Sequence, residues 1–175
     1  MFRHQRIAHR LRMMLEGKEV FDMETTHVAE GEEQRELAKN LFNETWTLLE
    51  KQRRTAEDDL RMLHMAHASR FHWGEVGTPE NVCIGEWQVS RVYVVLGRTE
   101  PALFHAERCM EVCRHEGFDG WKLAYAHEAL ARAHRLAGEA GPYREHLARA
   151  EEILATINDE EERELLEGDL ATLRS

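Results

Sequence analysis

An all-α fold built from antiparallel helix hairpins is predicted for this chain, on three observations. From Glu32 onward the apolar residues recur at helical spacing. The composition is rich in Ala, Leu, Glu and Arg, which lose little conformational freedom in a helix, and holds only 3 prolines. Capping residues and glycines then punctuate the pattern where helices have to start and stop. No stretch reads as strand. A chain of 175 residues can bury one substantial core, which favours a single domain or a short repeat array over two independent folds.

Residues 1–30 are read as a leader ahead of a helical domain at residues 31–175. Arg3, Arg6, Arg10 and Arg12 make residues 1–22 basic, in front of an acidic body. One reading is a short basic helix that docks elsewhere. The other is that Gly17-Lys18-Glu19-Val20 back-translates as a purine-rich ribosome-binding sequence before the codon of Met23, which makes Met23 the natural start and the preceding residues non-native or disordered.

The helices are expected near residues 32–52, 55–74, 79–97, 100–116, 120–138, 142–157 and 159–174. Thr78-Pro79 sets a capping hydroxyl before a proline at the first helical position. Gly97 and Gly138 each end a helix where a left-handed residue is needed. The stretch His115-Glu116-Gly117-Phe118-Asp119-Gly120 forms a longer connection, and Gly141-Pro142 marks the next helix entry. Asn158 with Glu161 has the form of a capping box before the last helix.

Aligning the two turn glycines exposes a repeat. Val89, Ser90 and Tyr93 precede Gly97, and Ala102, Ala106 and Cys109 follow it; the same offsets around Gly138 give Leu130, Ala131 and His134, then Tyr143, Leu147 and Ala150. Small and medium residues recur where two helices must approach closely. This pattern resembles the tetratricopeptide repeat (TPR), with a large-small pair and an aromatic on the first helix, a turn glycine, and small residues on the second. The step from Gly97 to Gly138 is longer than the usual ~34 residues. A degenerate copy lies upstream, with Arg54 at the turn and Leu63 and Ala66 at the packing positions. The resemblance covers roughly residues 34 to 156 and implies a TPR-like superhelix of about three helix pairs, closed by a C-terminal capping helix with a polar face.

The resemblance also implies a concave groove lined by first helices. Its inward positions transfer to Lys51, Gln52, Trp87, Arg91, Tyr125, Glu128, Arg132 and Arg135. Four cations with two aromatics suit an acidic peptide or a terminal carboxylate, since Arg offers bidentate hydrogen bonds and aromatics supply rigid contact area. The alternative is that the arginines simply pair with neighbouring glutamates at helical spacing.

A histidine constellation supplies the competing chemistry. His64 and His67 share a helical stripe with Leu60, Leu63 and Phe71, which turns both toward the core. Glu86 occupies a position where the repeat places a large apolar residue, and a carboxylate there needs partners. His64, His67 and His72 on the preceding helix are the expected ones. Such a set can bind zinc or another divalent metal, or move protons near neutral pH; otherwise it is a hydrogen-bonded core network. His105, Cys109 and Cys113 form a further stripe, in which Cys109 takes a small packing position and free cysteine behaves as a buried hydrophobe. Met62, Met65 and Met110 read as core.

Charge and motifs exclude several classes. With 23 Lys and Arg against 33 Asp and Glu, the formal net charge is −10, which opposes nonspecific binding to phosphate backbones. The apolar runs are too short to span a bilayer, and 3 cysteines without an export signal suggest reduced thiols in the cytoplasm. No phosphate-cradling glycine loop, Gly-x-Ser-x-Gly elbow or dinucleotide fingerprint occurs. The leading expectation is therefore a helical-repeat adaptor for a protein or peptide, with no cofactor. The alternatives are a metal-dependent enzyme or metal sensor using His64, His67, His72 and Glu86, and a self-associating module that forms a homodimer through an exposed end.

Overall fold

The computed structural model describes residues 23–174, with side chains from residue 31 onward. The chain divides into two compact units, Met1–Glu33 and Gln34–Ser175. The two readings of residues 1–22 lie outside the described residues. Within the described residues there are seven helices and no strand: α1 Met23–Leu49, α2 Ala56–Val76, α3 Pro79–Val95, α4 Thr99–Glu116, α5 Gly120–Ala137, α6 Ala140–Leu154 and α7 Glu160–Arg174. Helix α1 starts earlier than its apolar periodicity suggests, so residues 23–30 of the expected leader are helical. None of these helices is long and apolar enough to cross a membrane.

Local chemistry sets most boundaries where the sequence places them. Thr78 caps α3 through a reciprocal pair: Asn81 N–H donates to Thr78 Oγ1 (3.4 Å), and Thr78 N–H donates to Asn81 Oδ1 (3.0 Å). Pro79 follows at the first helical position. Thr55 and Asp58 close an equivalent box before α2. The box expected at Asn158 is displaced by one residue: Asp159 Oδ1 accepts from Glu162 N–H at 3.0 Å, and α7 begins at Glu160. Pro142 sits inside the first turn of α6 rather than at its start, where a missing N–H is still harmless.

The glycine turns match each other bond for bond. Gly97 and Gly138 have φ of 68° and 75°. Gly97 N–H donates to Val94 O and Arg98 N–H to Tyr93 O; Gly138 N–H donates to Arg135 O and Glu139 N–H to His134 O. Both are Schellman-type closures, in which a left-handed residue lets orphan carbonyls find partners.

Packing follows chain order. Each helix from α2 to α6 packs on its successor, and in addition α3 packs on α5 and α5 on α7. Short connections between consecutive packed helices produce hairpins. Fully buried alanines (Ala102, Ala106, Ala126 and Ala133) let α3, α4 and α5 approach closely around Cys83, Trp87, Met110 and Leu130. Met62, Ala66, Val89 and Val92 join α2 to α3. The last helix buries Leu166, Leu170 and Leu173 as one stripe against Ala124, Ala131, Ala150 and Leu154.

The glycine turns yield a paired test. No neighbour obstructs a methyl group at Gly138 or at Gly141, so only backbone conformation separates them. Gly138→Ala is expected to lower unfolding free energy by about 1–2 kcal/mol because its φ is left-handed. Gly141→Ala, inside α6, is expected to be neutral or slightly stabilising. Urea denaturation followed by circular dichroism distinguishes the two.

Candidate functional site

Glu128 on α5 is the most deeply buried charged residue among those described, at 0% exposure. A carboxylate removed from water is tolerated only when its oxygens are fully hydrogen-bonded. Three donors meet it. Trp87 Nε1–H donates to Oε2 at 2.8 Å, Arg91 Nη1–H donates to Oε1 at 2.8 Å, and Arg132 Nε–H donates to the same Oε1. Trp87 and Glu128 stand 41 residues apart, the step that separates Gly97 from Gly138. The contact therefore joins equivalent positions of successive hairpins.

The two arginines continue into α7. Arg91 Nη2 donates to Asp169 Oδ1 (2.9 Å); Arg132 Nη2 donates to Asp169 O and Thr172 Oγ1, both at 2.8 Å. Arg135 Nη1 donates to Leu173 O (2.9 Å) and Thr172 O (3.2 Å), and the Tyr143 hydroxyl donates to Leu173 O (2.6 Å). Burial, with Asp169 and Glu128 adding to it, pushes the Tyr125 phenol above its usual range. The structure thus brings Trp87, Arg91, Tyr125, Glu128, Arg132 and Arg135 together with α7. Arg91 and Arg132 have carboxylate partners, and Arg135 reaches the carbonyls near the end of α7. Lys51 lies in the turn after α1, paired with Asp58 at 2.6 Å, and Gln52 is exposed beside it.

Beside this cluster lies a cleft of about 480 Å³, within the range of small-ligand and side-chain pockets. Phe42, Trp46, Trp87, Trp121 and Tyr125 line it, with Leu165, Gly168 and Asp169 of α7 on its border. The rings contact one another: Trp46 and Trp87 lie 5.5 Å apart, Trp87 and Tyr125 meet edge-on at 4.9 Å, and Trp121 and Tyr125 at 6.2 Å. Lys122 pairs with Glu80 at 3.1 Å and holds its ammonium over Trp121. Sequence reasoning missed Trp46 and Trp121. The signal was present for Trp46, which precedes Trp87 by the same step that carries Trp87 to Glu128.

Cys83 and Cys109 also line the cleft. Cys83 Sγ lies 3.4 Å from Cys109 Sγ and 3.3 Å from Cys113 Sγ, and all three thiols are free and buried. Hydrogen bonds from Cys109 and Cys83 push the Cys113 thiol down to about 4 against its burial. Cys109 is correspondingly pushed up, by its hydrogen bonds to Cys113 and Cys83 and by burial.

The histidines separate. His64 is exposed, against the expectation that its stripe faces inward, because the buried side of α2 runs through Met62, Met65, Ala66 and Ser69. Glu86 does find the partners it requires, but they are Arg70 Nε (2.8 Å) and His105 Nδ1 (2.6 Å). Gly85 makes room for this, since a methyl group there would meet Arg70 Cδ at 2.8 Å. Burial raises the Glu86 pKa, but the hydrogen bond from His105 and the charge of Arg70 outweigh it and hold the carboxyl below its ordinary value. His67 bonds Tyr93 OH at 2.8 Å and sits 5.3 Å from the His105 ring. His72 stands beside Phe71. No three of His64, His67, His72 and Glu86 converge on one point: among the described residues, only the three cysteines bring three ligand atoms within 4.8 Å of one another.

A second histidine group forms between α5 and α6. His127 Nδ1 lies 2.9 Å from His146 Nδ1, and His146 stacks on His134 at 5.5 Å. Burial and the neighbouring His146 and Arg114 push His127 down to about 4. His146 is lowered for the same first reason.

Two predictions follow from these groups. Glu128→Ala takes from the half-buried Arg91 and Arg132 the carboxylate oxygen they share and is expected to cost about 3 kcal/mol in urea unfolding. Glu152→Ala, which removes an exposed partner of Arg149, should leave the midpoint unchanged. For His127 the folded pKa lies below the unfolded value of 6.5, so between these pH values the unfolded chain binds a proton the folded chain refuses. Stability is fully present above pH 6.5 and falls as pH drops toward about 4. His127→Gln should flatten the dependence of stability on pH across that window. No protein-family model, curated protein or solved structure matches this chain, and the reading of its site rests on the geometry above.

Proposed function

We propose that the chain is a recognition module of TPR-like hairpins, in which the aromatic cleft receives a large apolar side chain of a protein or peptide partner. The alternation of contacts supports this arrangement: consecutive helices pair, and α3, α5 and α7 also pack as alternate members of a row. The single observation that carries the function is the cleft of about 480 Å³ lined by three tryptophans, Phe42 and Tyr125. Rigid aromatic surface gives contact area at little entropic cost and dominates binding energy where it lines a pocket.

The arginines expected to read an acidic partner have a different role in this proposal. Arg91 and Arg132 hold Glu128 and Asp169, so they fix α7 as a wall of the cleft and leave recognition to the rings. Arg135 is the exposed cation of this group.

The test is to pan a library of random peptides displayed on phage over the full chain and to measure recovered peptides by fluorescence anisotropy. The expected peptides share a Trp, Phe or Leu anchor. Trp121→Ala is expected to weaken them about tenfold or more, equivalent to about 1.4 kcal/mol, while Arg135→Ala changes affinity by less than about twofold. Recovery of Asp- and Glu-rich peptides whose binding depends on Arg135 would instead place recognition on charge.

A further inference from the structure

We propose that Cys83, Cys109 and Cys113 form a binding site for a thiophilic metal ion, suited to Zn²⁺ and reached through the aromatic cleft. This site is independent of the peptide-binding reading. All 3 cysteines of the chain converge here, Cys83 from α3 and Cys109 and Cys113 from successive turns of α4. Zinc–sulfur bonds of about 2.3 Å at tetrahedral angles place sulfurs about 3.8 Å apart. The Cys83 sulfur lies 3.4 and 3.3 Å from the other two, so a small outward movement of side chains completes the spacing. Soft thiolates select Zn²⁺ or Cu⁺ over hard cations such as Mg²⁺ and Ca²⁺.

Packing alone does not require sulfur at the Cys109 position. Ala150, equivalent to Cys109 in the following hairpin, is buried at 0% with an alanine methyl group. A disulfide accounts for at most two of the three sulfurs, whereas a metal uses all of them. Cys83 and Cys109 face a cleft, which gives an ion a way in and leaves a fourth position for water or a ligand group, as in open zinc sites. Lys122 and Glu80 border the same cleft as an ion pair at 3.1 Å, so the ion itself is what offsets the charge of the thiolates. Binding is a plain displacement: each thiol gives its proton to solvent as its sulfur lone pair bonds the ion, Zn²⁺ + 3 RSH → Zn(SR)₃⁻ + 3 H⁺.

The experiment titrates ZnCl₂ into the full chain, reduced and stripped of metal with a chelator, and follows stoichiometry by native mass spectrometry. One Zn²⁺ per chain is expected, with protons released and the unfolding temperature raised. Cys113→Ser and Cys83→Ser should weaken binding by more than the roughly 10–100-fold that disturbing an outer partner costs. His64→Ala should leave it unchanged. A CdCl₂ titration of the unsubstituted chain needs no variant: thiolate-to-cadmium charge-transfer absorption that saturates at one equivalent counts the sulfurs directly. Folded, reduced protein that takes up no Zn²⁺ and develops no such absorption overturns the proposal. So does uptake that survives replacement of all three cysteines.

Discussion

The carboxylate of Glu128 is the constraint on which the rest of the molecule depends. A buried negative charge forces its surroundings to supply donors, and those donors come from α3 and α5 and extend into α7. The register of α3 against α5 is thereby fixed to one alignment, since a slip of one residue would take Trp87 and Arg91 off the carboxylate together. Apolar packing between alanine-rich helix faces tolerates sliding; a set of directional hydrogen bonds to one carboxylate does not. The hydrophobic cores bury the apolar surface, and the contacts of Glu128 tie α3, α5 and α7 in the alignment observed.

Glu86 performs a related task one hairpin earlier. It is buried at 5% exposure, takes Arg70 from α2 and His105 from α4, and so locks a helix to both of its sequence neighbours. Glu128 instead reaches a helix two positions back and engages arginines that hold the C-terminal helix. Together the two carboxylates tie α2, α3, α4, α5 and α7 into one ionic framework. The aromatic rings and thiols of the cleft lie beside this framework, held by elements whose relative positions are set by charge.

The fold was legible in the sequence to the extent that local chemistry decides it. Thr78-Pro79, Gly97 and Gly138 act through bonds spanning a few residues, and their consequences could be read from the chain directly. The start of α1 was not, because its first turns lack the apolar stripe that marks the later helices. His64 was placed inward by a stripe through Leu60 and Phe71, yet both of those residues are exposed and the buried face lies elsewhere on α2. At the candidate site, the need of Glu86 for partners was legible, but their identity was not, since Arg70 reaches it only because Gly85 lacks a side chain. Trp46 was hidden by aligning the upstream copy on Arg54, which shifts it out of step with Trp87. The convergence of Cys83 with Cys109 and Cys113 depends on how α3 crosses α4, and no local pattern encodes that.

The row of indoles has an optical consequence. Of the 4 tryptophans in the chain, Trp46, Trp87 and Trp121 line one cleft, while Trp73 stands near the end of α2. Ultraviolet absorption by its indoles is therefore concentrated at a single region. Trp46 and Trp87, 5.5 Å apart, border the cleft with Trp121, so a group entering it meets three indoles at once and is expected to change their emission without any attached dye. The cleft thus has its own optical reporter built into its lining.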